Sequence, residues 1–478
     1  MWIRGIGLGV ILVQGSVWGL NKNQSIEFLQ SENRNASTDA DAAFHNPAGL
    51  AFLPGDGFHF GAGTQMVIQD RTLKEDSPLL AAYGPGVYEG EIRVWAFPTV
   101  QAVYRKDDLA LYLHGGPLAG GGSGTYPQGL PQFDNLILGF MDQVAKGTKA
   151  AVSAGYDAAG APGAVVTNNA EARLRYERSL SFEGDEKTLG ATLGAAYKVH
   201  DMVSVSAAYR FSHATSAYRG KASPTEFGIA FQGSDGLALA GISGSSVDSA
   251  LTVNANQALA ARWRDIEVDV EADGQSHGVV LGLDVVPHPD WNVGLRFEWN
   301  GTMELENHTS TIVAPDDLRP YLAAYEKGAR TNVTEPMVLA GGVSWKALEG
   351  LLVESSWTYA FFEDVDRDGA EKDFRNSLFG GLGLRWKISP RIETSVGFAH
   401  DWAFREDAAR LETDFDMPTS YWGTGVSLQA TDRLRVDIGA MVGVSADQKG
   451  VSAASGAPQA MGQEHMNVGI GLGWSPGI

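Results

Sequence analysis

Apolar and polar residues alternate with a period of two along most of this chain. Over 203–213, Val203, Val205, Ala207, Tyr209 and Phe211 alternate with Ser204, Ser206, Arg210 and Ser212. Over 291–300, Trp291, Val293, Leu295, Phe297 and Trp299 stand against Asn292, Gly294, Arg296, Glu298 and Asn300. Residues 434–444 and 466–474 repeat the pattern, the last with Asn467, Gly469, Gly471 and Gly473 on its small face. Successive side chains of a strand point to opposite faces. About ten residues with one apolar and one polar or small face make up the stave of a transmembrane barrel.

The pattern predicts fourteen strands, at 58–68, 92–104, 108–116, 187–199, 202–214, 264–287, 291–303, 336–346, 351–362, 377–388, 391–404, 420–430, 433–445 and 465–474. The sixth is interrupted at Gly274 and reads equally as two strands. Short turns at 105–107, 200–201, 288–290, 347–350, 389–390 and 431–432 alternate with long connections at 69–91, 117–186, 215–263, 304–335, 363–376, 405–419 and 446–464. Outer-membrane barrels alternate periplasmic turns and extracellular loops in this way, and an even strand count puts both termini in the periplasm. Trp95, Trp263, Trp291, Trp299, Trp345, Trp386, Trp422 and Trp474 fall at or near strand ends, where an aromatic girdle meets the headgroups. The expected fold is therefore all-β, a 14-stranded antiparallel transmembrane barrel.

Composition narrows the function. No run of eighteen apolar residues follows the N-terminus, so helices do not span the membrane. Arg4, the apolar run 5–13 and Val17-Trp18-Gly19 read as a signal peptide over 1–19, which exports the chain. The sequence has no Cys, so neither a disulfide framework nor thiol chemistry is expected. A net charge of -21 repels phosphate backbones and argues against a nucleic-acid partner. No Gly-x-Ser-x-Gly elbow occurs, and the His residues show no metal or catalytic spacing, so no catalytic residue, cofactor or metal is expected. Asp364, Asp366, Asp368 and Gly369 copy half of a calcium loop, but Arg375 stands where a bidentate Glu is needed, so they read as a solvated acidic loop.

Residues 20–57 do not alternate and precede the barrel at 58–478. Rich in small residues, they suit a plug folded into the lumen. Asn46-Pro47-Ala48-Gly49-Leu50 resembles the Asn-Pro-Ala motif of the FadL family of long-chain fatty acid and hydrocarbon transporters. Residues 98–125 resemble that family's second and third strands with their Gly-rich run. Residues 189–212, Glu335-Pro336 with Trp357-Thr358-Tyr359, and 417–425 with Asp432-Arg433-Leu434 follow its later hairpins in order. The resemblance departs at the last strand, where Ser475-Pro476-Gly477-Ile478 follow Trp474.

The resemblance implies a monomeric outer-membrane transporter of hydrophobic small molecules, long-chain fatty acids first among them. It implies capture in a groove among the loops, a hatch made by Asn46, Pro47, Ala48 and Gly49, and exit through a kinked strand into outer-membrane lipid. Phe133, Leu136, Ile137, Phe140 and Val144 fall at helical spacing, which suits either that groove or a helix buried against other loops. An adhesin with acidic loops and an outer-membrane hydrolase are the rival readings.

Overall fold

Fourteen antiparallel strands close on themselves in the computed structural model, which describes residues 21–476 apart from 79, 82–85, 178, 225, 238–240, 317, 367–373, 403–416, 446 and 453–454. The expected signal peptide and two positions of the half calcium loop, Asp368 and Gly369, lie outside the described residues. The strands are β1 (Gly57–Glu75), β2 (Val87–Lys106), β3 (Leu109–Tyr126), β4 (Leu180–His200), β5 (Val203–Ala222), β6 (Ile266–His288), β7 (Trp291–Asn300), β8 (Met337–Leu348), β9 (Leu351–Phe361), β10 (Ser377–Ser389), β11 (Ile392–Trp402), β12 (Thr419–Gln429), β13 (Leu434–Ser445) and β14 (Pro458–Trp474). Each pairs with the next, and β14 closes on β1 from Phe60↔Trp474 to Glu75↔Gln459. Every predicted strand is present.

Six of them, β1 to β5 and β14, are much longer than predicted, and β6, whose full span the pattern did cover, shows why. In its lower half the odd positions Val279, Leu281 and Leu283 are exposed and apolar, facing lipid. In its upper half the odd positions Glu267, Asp269 and Glu271 are exposed and charged, while Ile266, Val268 and Val270 turn inward and are buried. The parity never breaks, so β6 is a single strand through Gly274. Its polarity reverses where the wall leaves the bilayer and enters water. The alternation sought in the sequence, apolar outward, therefore stops at the membrane boundary although the strand continues.

Above the barrel the loops form their own core. The helix Pro131–Ala158, the helix Gly244–Arg262 and the two-stranded pair Glu171–Tyr176 with Phe227–Gln232 enclose Ile137, Phe140, Met141, Leu251 and Phe231. Trp263, expected in the girdle, instead packs on this core beside Phe227 and Phe140. Below, the N-terminal segment fills the lumen.

Candidate functional site

The segment 24–53 is almost wholly buried within the barrel. Ser25 accepts a hydrogen bond from the Phe28 N–H at 3.0 Å and starts the short helix Ile26–Ser31. Two more turns, Ala42–His45 and Pro47–Phe52, carry the Asn-Pro-Ala residues. The wall makes room by losing side chains. A Cβ on Gly397 would stand 2.1 Å from the Ser31 carbonyl oxygen, and one on Gly294 would stand 2.3 Å from that of Asn35. The glycines of the alternating pattern are thus the seat on which this backbone lies.

The segment's second half is held by charge. Arg34 is 1% exposed, and its guanidinium donates to Asp41 at 2.8 and 2.9 Å and to Glu354 of β9 at 2.9 Å. Burial alone would raise the Asp41 pKa, but the Arg34 charge outweighs it and holds the carboxyl at about 2. Asn46 donates to Asp284 of β6 and to the Ser37 carbonyl, and Asn292 donates to the same Asp284 carboxylate at 3.1 Å. Ser204 of β5 donates to the Ala48 carbonyl at 2.7 Å. A Cβ on Gly49 would stand 2.3 Å from the Ser37 carbonyl oxygen, so only glycine fits there. Phe44 lies under Arg210 and Arg296, which share Glu298.

Beside the first half the wall breaks. Strands β2 and β3 pair at Glu91↔Thr125 and Ile92↔Gly124, and again only from Val100↔Gly115 onward. Residues 93–99 of β2 therefore have no partner on β3. Nine steps of β3, from Gly115 to Gly124, face seven steps of β4, from Ala191 to Gly184, so β3 carries two extra residues. Gly120 and Gly122 take positive φ of 91° and 76° to absorb them. The carbonyls freed in the kink turn to the N-terminal segment instead. The backbone N–H of Asn21 donates to the Leu118 carbonyl at 2.8 Å, and its side chain donates to Gly120 at 3.2 Å. Gln24 donates to the Pro117 carbonyl at 2.6 Å.

A cavity of about 260 Å³ opens against this break, walled by Val67, Val94, Phe97, Pro98, Ala119 and Leu189. Its floor carries Lys22 and Glu32. The structure thus brings Asn46, Pro47, Ala48 and Gly49 to the lumen, but it places the loop residues elsewhere. Ile137 and Phe140 are buried in the loop core with Phe133 and Leu136 packed on it, and none of the four lines this cavity. Helical spacing in the sequence did not show which surface would cover them. Arg34, Glu32 and the position of the kink went unnoticed in the sequence. A lone Arg in a run of Asn, Ser and Asp, and acidic Glu354 on the polar face of a stave, were the available signals.

Among known families and curated proteins the sequence matches none. Among solved structures, a FadL homologue of Pseudomonas aeruginosa matches at 12% identity and a TM-score of 0.65, covering 96% of this chain and 99% of that one. The Pseudomonas putida toluene transporter TodX matches at 13% identity and a TM-score of 0.59, covering 96% and 100%. The fold is that of the FadL-type barrels. The Ralstonia pickettii toluene transporter TbuX has it too, at 14% identity and a TM-score of 0.52 over 91% of this chain and 94% of that one. Within the FadL-type fold, the chain combines a wall of fourteen strands with an occupied lumen and a kinked third strand.

Proposed function

We propose that the protein carries hydrophobic small molecules inward across the outer membrane, with the N-terminal segment as a hatch and the break between β2 and β3 as a side exit. The supporting observation is that break, open along 93–99 beside an apolar cavity. A strand edge without partners is costly in lipid, so a wall interrupted at membrane depth calls for a use. Here the freed carbonyls are satisfied by Asn21 and Gln24, which ties the hatch to the exit. A ligand settling in the cavity displaces these residues, and the ligand then leaves sideways through the break into lipid. The rest of the segment stays seated and keeps the barrel closed to water. Each buried methylene gains about 0.8 kcal/mol, so an apolar ligand is drawn along an apolar wall without chemical change. No catalytic group is needed. Fatty acids and the aromatic hydrocarbons carried by TodX and TbuX both belong to this ligand class.

A disulfide lock tests the reading. A Cβ on Gly471 would stand 3.4 Å from the Ile26 Cβ, close to disulfide range, and the native chain has no Cys to interfere. Cells expressing Ile26→Cys/Gly471→Cys should lose uptake of labelled toluene and oleate when oxidised and regain it on reduction. If the native barrel gives no saturable uptake of either compound above barrel-free cells, the transport reading fails.

A further inference from the structure

Two cavities meet at one carboxyl group. Glu32 lines both the cavity beside the break and a narrower one that runs on toward Phe44 and Arg210, and Lys22, Phe28 and Phe379 border both. Glu32 is 1% exposed, and among the described residues neither of its carboxylate oxygens has a hydrogen-bond partner. Its backbone sits at φ 59°, as the cap that ends the helix Ile26–Ser31. Glycine is the residue that slot favours, and a side chain there costs about 1 kcal/mol. The fold therefore gains nothing from a Glu at this position, either in its backbone or in its side-chain contacts. The wall nevertheless gives the carboxyl room, since Gly423 presents bare backbone where a Cβ would stand 3.0 Å from Oε1.

The surroundings define what it meets. The Lys22 ammonium lies 4.6 Å from the Phe379 ring centre and donates to Asp401 at 2.7 Å, leaving further N–H groups to donate. The Phe28 and Phe379 rings, 6.2 Å apart, form an apolar flank. An ammonium head would be accepted only if Lys22 gave up its charge, and a carboxylate head only while Glu32 holds a proton, the form that its burial favours. A hydroxyl requires neither, because it donates to the carboxyl and accepts from the ammonium at once.

We propose that Glu32 and Lys22 form a binding site for the hydroxyl head of an otherwise apolar alcohol or phenol. The proposal rests on the transport reading and narrows its ligand. The site selects among hydrophobic molecules by a neutral polar end, while the apolar wall holds the remainder.

Three ligands of one shape test it: propylbenzene, 4-propylphenol and 4-propylbenzoate, titrated calorimetrically into the purified full-length barrel. A hydrogen bond to a charged group supports a preference of about tenfold for the phenol over propylbenzene. Glu32→Gly relieves the backbone and so folds, and it should bring the ratio of phenol to propylbenzene affinity down to about one. Glu32→Gln, which retains an acceptor, should keep part of it. Equal affinity for phenol and hydrocarbon, an undiminished preference in Glu32→Gly, or tighter binding of the benzoate than of the phenol would each overturn the site and leave transport standing. Failure of all three ligands to bind would overturn both.

Discussion

The two halves of the N-terminal segment are held in different ways. Residues 34–53 are fixed by buried charge and close backbone fit, with Arg34 between Asp41 and Glu354, Asn46 on Asp284, and Ala48 on Ser204. Residues 21–33 also lie close on the wall, at Ser31 against Gly397, but rest otherwise on neutral amide bonds to the kink of β3 and on two more exposed ion pairs, Lys22 to Asp401 and Glu27 to Arg435. A buried ion pair that loses one partner leaves an uncompensated charge, whereas a neutral amide bond is exchanged at a net cost of about 1 kcal/mol. On the proposed function, one half is thus built to stay and the other to move. The half built to move is the one that touches the break in the wall.

The strongest way to break this comparison is to remove the kink. Deleting Leu118 and Gly120 brings β3 back into step with β4 and lets it pair with β2 across 93–99 around the one-residue bulge that β2 already carries against β1. The barrel should still fold, and uptake of hydrophobic solutes should fall to the barrel-free background. Retained uptake would mean that the exit lies elsewhere. A smaller effect is expected from the seated half. Arg34→Met leaves Asp41 buried without its cation and Glu354 with only Arg385, 3.9 Å away, at a cost of about 3–5 kcal/mol. The segment should then become open to protease from the periplasmic side and raise the conductance of the barrel in planar bilayers.

The same seat carries a pH signature. Asp41 titrates near 2 in the folded protein, below the value of about 3.9 for a free aspartate. A lowered pKa adds stability above the unfolded value, and this stability is lost as pH falls through the folded one. Protection of residues 34–53 from pepsin should therefore hold at pH 4 and decline toward pH 2. In Arg34→Met it should already be weak at pH 4.

Much of the wall could be read from sequence because lipid and lumen impose opposite demands on alternate residues. Val293, Leu295 and Phe297 against Asn292, Arg296 and Glu298 leave only one strand register. The upper ends of β1 to β5 and β14 escaped because they stand in water. In β6, whose span the pattern did cover, Glu267 and Asp269 point outward at that level, and the expected polarity is inverted. Asn46 and Gly49 could be placed in a lumen plug from their neighbours, but Arg34 could not. Its partners lie seven and 320 residues away, and a charged residue in a polar run normally implies solvent. The kink at 117–122 looked like loop, because glycine runs carry no alternation. What marks it as wall is its pairing with β4, a contact made across tens of residues.

The smallest expected effect gives the sharpest test of the comparison. A Cβ on Gly282 would stand 3.3 Å from the Ala48 Cβ, so Ala48→Cys/Gly282→Cys places a second lock in the half that is built to stay. The Ser206 hydroxyl, 2.4 Å from that new Cβ, has to rotate away to make room. If residues 34–53 remain seated while ligand passes, oxidising this pair should change uptake by less than about twofold, a rate effect of about 0.4 kcal/mol. The Ile26–Gly471 lock should meanwhile stop uptake altogether. Equal inhibition by the two locks would mean that the segment moves as one piece. In that case the ionic seat around Arg34 would have to release with every transport cycle, and Arg34→Met should speed uptake.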